Sequence, residues 1–252
     1  MSGPLAFLLV SLGVCAVASA WQIAQVVAAG GFSDRAARRG SELAGVLYSA
    51  TAAMLPWKKE SARLHPVSYV LGVVYHLGTF LGFFWLAALA LGVEPSAAHP
   101  ARDAGGNPWA WFARLSAVGL GIAAGAGLAL LAKRLVKPAL RYYSSPDDYF
   151  SNALVTTFQV VGALSLLRAG LAPVLFVVGG VVLAYLPFGK LRHAVYFLPV
   201  RILLGLFYGR RGVWPGPGVW PRTGAMSRPG ARPGPGARPG PALRPERARG
   251  DR

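Results

Sequence analysis

The chain has 252 residues, of which 54% are hydrophobic and 14% charged, with a formal net charge of +17 and a mean hydropathy of +0.45. This apolar share, with 32 glycines besides, is well above the roughly 45–50% of an ordinary soluble domain. It also excludes a disordered protein, which needs low hydrophobicity. One cysteine, Cys15, leaves no material for a disulfide framework, a Cys-rich zinc or iron–sulfur site, or a Cys-x-x-Cys-His haem attachment within the chain. High charge and high hydropathy coexist only if basic and apolar residues are segregated, as they are in an integral membrane protein.

A bilayer-crossing helix needs about 20 mostly apolar residues. Five stretches qualify: residues 4–29, 67–93, 115–132, 149–167 and 171–188. Each is uncharged inside, where a central Arg or Lys would cost roughly 2.5–3.5 kcal/mol. The run 43–55, between two basic clusters, is too short to span and reads as an interfacial or re-entrant helix. The fold class is therefore an all-α integral membrane bundle of five transmembrane helices. Ala18-Ser19-Ala20 resembles a signal-peptide cleavage site. Against that, no Lys or Arg precedes the apolar run, and the run continues past residue 20, so a retained helix is expected.

Charge placement predicts the orientation. Arg35, Arg38, Arg39, Lys58, Lys59 and Arg63 follow the first span; Lys133, Arg134, Lys137 and Arg141 follow the third; Lys190, Arg192, Arg201, Arg210 and Arg211 follow the fifth. Only Arg102, Arg114 and Arg168 fall on the other side, so 15 of 18 basic residues share one face. That distribution predicts an N-out, C-in topology for residues 1–212. Residues 213–252 change character, with Pro-Gly and Ala-Arg-Pro-Gly repeats and eight arginines. Such a tract cannot bury enough apolar surface to fold alone and is expected to be a disordered cytoplasmic tail. Contact with anionic lipid or an acidic partner is the sharper reading of its charge. Nucleic-acid binding is not expected, because the tail has no folded reader.

Among so few polar residues the four histidines, His65, His76, His99 and His193, stand out. No Asp or Glu lies deep within a span, so a carboxylate proton relay has little material. His76 lies in the second span and His193 at the end of the fifth, whose apolar character continues beyond Phe188 through Leu198. A histidine inside a span usually faces the bundle or a cofactor. It either hydrogen-bonds a neighbouring helix or, paired with a second imidazole, serves as an axial ligand of haem b. Gly72 and Gly189 each stand four residues before one of these histidines. Helical side chains lean back over that turn, so a glycine there clears space for a flat macrocycle. Lys58, Lys59, Arg63 and Lys190 are candidate partners for haem propionates. His65 competes for the ligand role but immediately precedes Pro66, where a helix begins, and reads better as interfacial. His99, in a Pro-containing outer loop, reads as exposed. Asp147 and Asp148 follow Ser144-Ser145-Pro146 and suit a helix N-terminus, where acids complement the dipole.

Tyr75-His76-Leu77-Gly78 resembles the first ligand segment of respiratory nitrate reductase gamma subunits. Leu186-Pro187-Phe188-Gly189-Lys190-Leu191-Arg192-His193 is similar to their closing segment, and residues 145–164 to the entry of their fourth helix. Membrane cytochromes b of sulfur-metabolism electron-transfer complexes share the pattern. The resemblance covers about residues 1–212 and implies a five-helix, N-out cytochrome b of a bacterial or archaeal cytoplasmic membrane. Such a subunit passes electrons between quinone and a cytoplasmic iron–sulfur subunit. It implies His76 and His193 as ligands of haem iron. Two-haem members carry further ligands where this chain has Leu86 and Leu175, so a single haem b on the cytoplasmic side is expected. Two other classes are compatible with the residues. One is a haem-free membrane anchor for a cytoplasmic redox subunit. The other, a small-solute transporter, is disfavoured because no repeated halves or paired broken helices are evident.

Overall fold

The computed structural model describes residues 2–30, 37–93 and 108–215. The chain divides into a helical unit, Met1–Pro215, and a second unit, Gly216–Arg252. The basic tail, His99, Arg35 and Arg102 lie outside the described residues.

All regular structure among the described residues is helical. In chain order the helices are α1 (Gly3–Ala28), α2 (Glu42–Ala50), α3 (Glu60–Leu64), α4 (Pro66–Ala90), α5 (Pro108–Val136), α6 (Pro138–Tyr142), α7 (Pro146–Leu167), α8 (Ala172–Tyr185) and α9 (His193–Arg210). Single 3₁₀ turns at Ala52–Met54, Pro56–Lys58, Ala169–Leu171 and Lys190–Arg192 join them. Among the described residues, five segments are long and apolar enough to cross a membrane: Gly3–Ala28, Pro66–Ala90, Trp109–Val136, Pro146–Leu167 and Lys190–Arg210. The protein is thus a multi-pass membrane protein.

The fifth long segment differs from the one expected. The apolar run 171–188 yields α8, a helix of 14 residues, because the chain leaves the helix at a turn containing Pro187 and Gly189 and re-enters it as α9. A proline cannot continue the hydrogen-bond ladder. Lys190–Arg210 meets the length criterion instead, though its best window is the least apolar, with mean hydropathy 1.2 against 1.5–2.0 for the other four. The short run near residue 48 forms α2, nine residues capped by Ser41, too short to span.

α8 nevertheless runs antiparallel to α7 over much of its length. At one end Ser165 Oγ of α7 donates to the carbonyl of Leu171, 3.2 Å away. At the other, Ser151 and Tyr185 hydroxyls are 3.4 Å apart and Lys190 reaches Asp148. That second end also collects Lys133, hydrogen-bonded to Ser68 at the start of α4, and Arg134, paired with Asp148. Basic residues from the end of α5 and from the α8–α9 turn therefore share one end of the bundle.

In lipid, helices associate through close packing rather than hydrophobic transfer, so small residues sit at their interfaces. Gly179 and Gly180 of α8 show this. A Cβ on Gly179 would lie 2.7 Å from Leu86 Cδ2, and one on Gly180 would lie 2.6 Å from Phe7 Cε1. α8 thereby approaches α4 on one side and α1 on the other. Gly82 likewise admits the Phe158 ring, which is fully buried. A polar seam runs through the centre. Gln159, fully buried on α7, donates from Nε2 to the Tyr75 carbonyl at 2.8 Å and lies 2.9 Å from Thr79 Oγ1. The seam fixes the rotation of α7 against α4 beside the candidate site.

Candidate functional site

His76 is the eleventh residue of α4, about 15 Å along the helix from its start at 1.5 Å per residue. His193 is the first residue of α9, at the corner where α8 hands over to α9. These residues, 117 positions apart in the chain, face each other with ring centres 6.2 Å apart and ring planes inclined at 70°. α4 and α9 are not packed along their lengths, so the two imidazoles meet across a gap.

Each ring is oriented the same way. His76 Nδ1 lies 2.7 Å from the Gly72 carbonyl oxygen, and His193 Nδ1 lies 2.7 Å from that of Lys190. A carbonyl only accepts, so each Nδ1 carries the proton and each Nε2 is left as a lone-pair donor. Metal-binding histidines are held in this tautomer by such outer partners. Neither Nε2 has a hydrogen-bond partner among the described residues. Two imidazoles at this spacing, each with a donor Nε2, are candidate ligands for one metal ion. Both rings are exposed.

The surroundings sharpen the roles predicted for the glycines. Gly72 has open space where a Cβ would be, in keeping with clearance for a macrocycle. Gly189 does not serve that purpose directly. A Cβ there would overlap the phenol ring of Tyr185, so this buried glycine instead lets Tyr185 pack under the corner. Tyr75 stands edge-on to His76, with ring centres 6.2 Å apart, and its hydroxyl donates to the Asn152 carbonyl at 2.9 Å. Gln22 of α1 donates from Nε2 to the Pro187 carbonyl at 2.6 Å, tying the corner to the first helix.

The cationic side chains divide. Lys190 is engaged with Asp148, which differs from its expected role as a propionate partner. Arg63 donates to the Trp57 carbonyl at 3.3 Å. Lys58 is exposed. Burial, and then the charge of Arg201, hold the Lys59 ammonium below the usual lysine range, as expected where two cations lie close together. His65 stands at the N-cap of α4, exposed and eleven positions from His76, and makes no ring contact with either facing histidine. No group of three or more His, Cys, Asp or Glu is clustered to hold a metal among the described residues.

Leu86 and Leu175 are buried in one cluster with Leu8, Phe158, Phe176 and Val182. That half of the bundle is closed by close-packed apolar side chains.

Sequence reasoning missed Asp148 as the hub of the corner. Two acids at a helix start carry an adequate local explanation, and nothing in the local pattern distinguishes the one that reaches across to Lys190. No protein-family model, curated protein or solved structure matches this chain.

Proposed function

We propose that this protein is a membrane cytochrome b of the nitrate reductase gamma-like kind. In this reading it carries one bis-histidine haem b and passes electrons between membrane quinone and a cytoplasmic iron–sulfur subunit. The observation that carries the reading is the His76–His193 pair, with ring centres 6.2 Å apart and each Nδ1 committed to a backbone carbonyl. His76 and His193 would hold the iron from opposite faces. Gly72 would leave room for the ring edge, and Lys58, Lys59 and Arg63 are the cations available to its propionates.

Haem held by His76 and His193 would supply a one-electron couple suited to electron transfer. The chain's part is orientation and electrostatics. The Gly72 and Lys190 carbonyls hold the Nδ1 protons and raise the basicity of the donor nitrogens. The basic end of the bundle, where Lys133, Arg134 and Lys190 gather, corresponds to the cytoplasmic face under the positive-inside rule. It would face an iron–sulfur partner, in a bacterial or archaeal cytoplasmic membrane. The apolar packing around Leu86 and Leu175 supports one haem rather than two.

The test is a reduced-minus-oxidised spectrum of the purified protein with haem counted by pyridine haemochrome. One low-spin haem b per chain is expected; none, or two, overturns the reading. A milder perturbation has a defined result too. Gly189→Ala forces Tyr185 aside and shifts the corner carrying His193. Haem affinity should fall about 10–100-fold, the range for loss of an outer-shell partner, as measured by haem titration of apoprotein.

A further inference from the structure

His193 is oriented by the carbonyl of Lys190, and Lys190 is itself held from outside its own turn. The segment Lys190–Arg192 is a single 3₁₀ turn, with backbone bonds from Arg192 N to the Gly189 carbonyl at 3.1 Å and from His193 N to the Leu191 carbonyl. Such bonds are local and do not fix the turn against α7. The additional hold comes from α7. Asp148 lies 3.0 Å from Lys190 Nζ and 2.7 Å from Arg134 Nη1. Its Oδ2 also accepts from Ser145 N at 2.9 Å and Ser145 Oγ at 3.0 Å. A carboxylate has about four acceptor sites, and this one has four donors. Its side chain is 9% exposed, whereas those of Arg134 and Lys190 are 37% and 55% exposed. The carboxylate therefore sits beneath its two cations, shielded from solvent, where an ion pair is screened less.

We propose that Asp148 is the positioning residue for His193. By pairing with Lys190 it locks the Lys190–Arg192 turn, and so places the carbonyl that sets the tautomer and ring plane of the imidazole. The consequence at iron rests on the haem reading above; the locking of the turn does not. The neighbouring Asp147 provides an internal contrast. It shares the start of α7 and the same helix dipole, yet it accepts from Ser151 Oγ at 3.1 Å within its own helix. A dipole role would be common to both acids, whereas the link to the His193 corner belongs to Asp148.

The experiment compares Asp148→Asn, Lys190→Gln and the double variant in the full-length, haem-loaded protein, with Asp148→Glu as the conservative control. The two single substitutions change local charge in opposite senses. A positioning role shifts the low-spin EPR g-values, which report axial imidazole orientation, in the same direction in both. The double variant should then match either single one, and Asp148→Glu should return the signal towards wild type. A pure field effect would instead move the midpoint potentials in opposite directions with unchanged g-values, and would overturn the proposal. In haem-free protein, amide hydrogen exchange in a peptide covering 186–195 should be several-fold faster in both single variants. Unchanged exchange also overturns the proposal. Wild-type protein that binds no haem would refute the proposed function, while the exchange arm would still decide whether Asp148 holds the turn.

Discussion

His76→Ala and His193→Ala should each abolish the low-spin haem b spectrum while leaving the protein folded in the membrane. Loss of an outer-shell partner already lowers metal affinity about 10–100-fold, and on the proposed reading either substitution removes a bond to the iron itself. Ordinarily such a result is hard to separate from misfolding. Here the two effects are separable, because both rings are exposed and neither belongs to the packed clusters around Leu86 or Trp85. Substitutions away from the core usually change stability by no more than about 0.5 kcal/mol, so thermal unfolding of the apoprotein in detergent should match wild type. His65→Ala is the matched control: it lies eleven positions from His76 and should leave the spectrum intact. An unaltered spectrum in either His76→Ala or His193→Ala would remove that residue from the ligand set.

Gly209→Leu should act at the other end of α9, on stability rather than on haem. α2 and α9 meet backbone to backbone. A Cβ on Gly209 would lie 2.6 Å from the Ser41 carbonyl oxygen and 2.9 Å from Gly45 Cα, and one on Gly45 would overlap the Gly205 carbonyl. Gly205 and Gly209, four apart on one helix face, form the small-residue contact that permits such an approach. The junction is closed by Arg39 N and Gly40 N donating to the Arg210 carbonyl at 2.8 and 3.1 Å, and by Glu42, which lies 3.8 Å from Arg210. A leucine cannot be absorbed by side-chain movement where the obstacle is backbone. Overpacking commonly costs about 1–3 kcal/mol, and separating two helix backbones places this variant at the upper part of that range. The expected readout is a lowered unfolding temperature, with earlier proteolysis between α2 and α3. Haem content should be largely retained, since Gly209 lies 16 positions from His193, about 24 Å along the helix. A Gly209→Leu protein that melts like wild type would refute the close α2–α9 contact.

The legible part of this protein was whatever one residue's surroundings could report. A basic or apolar residue has its own preference for water or lipid, so composition and run length marked four of the five long apolar segments. The same preference marked out His76, because a polar ring within an uncharged span is rare. Pairing lay beyond that reach. The sequence did not show that α8 is only 14 residues long, nor that the long final segment begins at Lys190. Gly189 stood at a suggestive spacing, yet its work is to accommodate Tyr185, which only the corner's geometry reveals. Asp148 and Lys190 are 42 positions apart, and nothing local to either marks it as the other's partner. Their meeting depends on α8 running back along α7. The contact between Gly45 and Gly209 joins segments more than 160 positions apart by the same logic. Solvation is a property of single residues and can be read along a chain. The distances that make two imidazoles a site, or a carboxylate its support, are set by how the helices pack, and tertiary structure alone decided those.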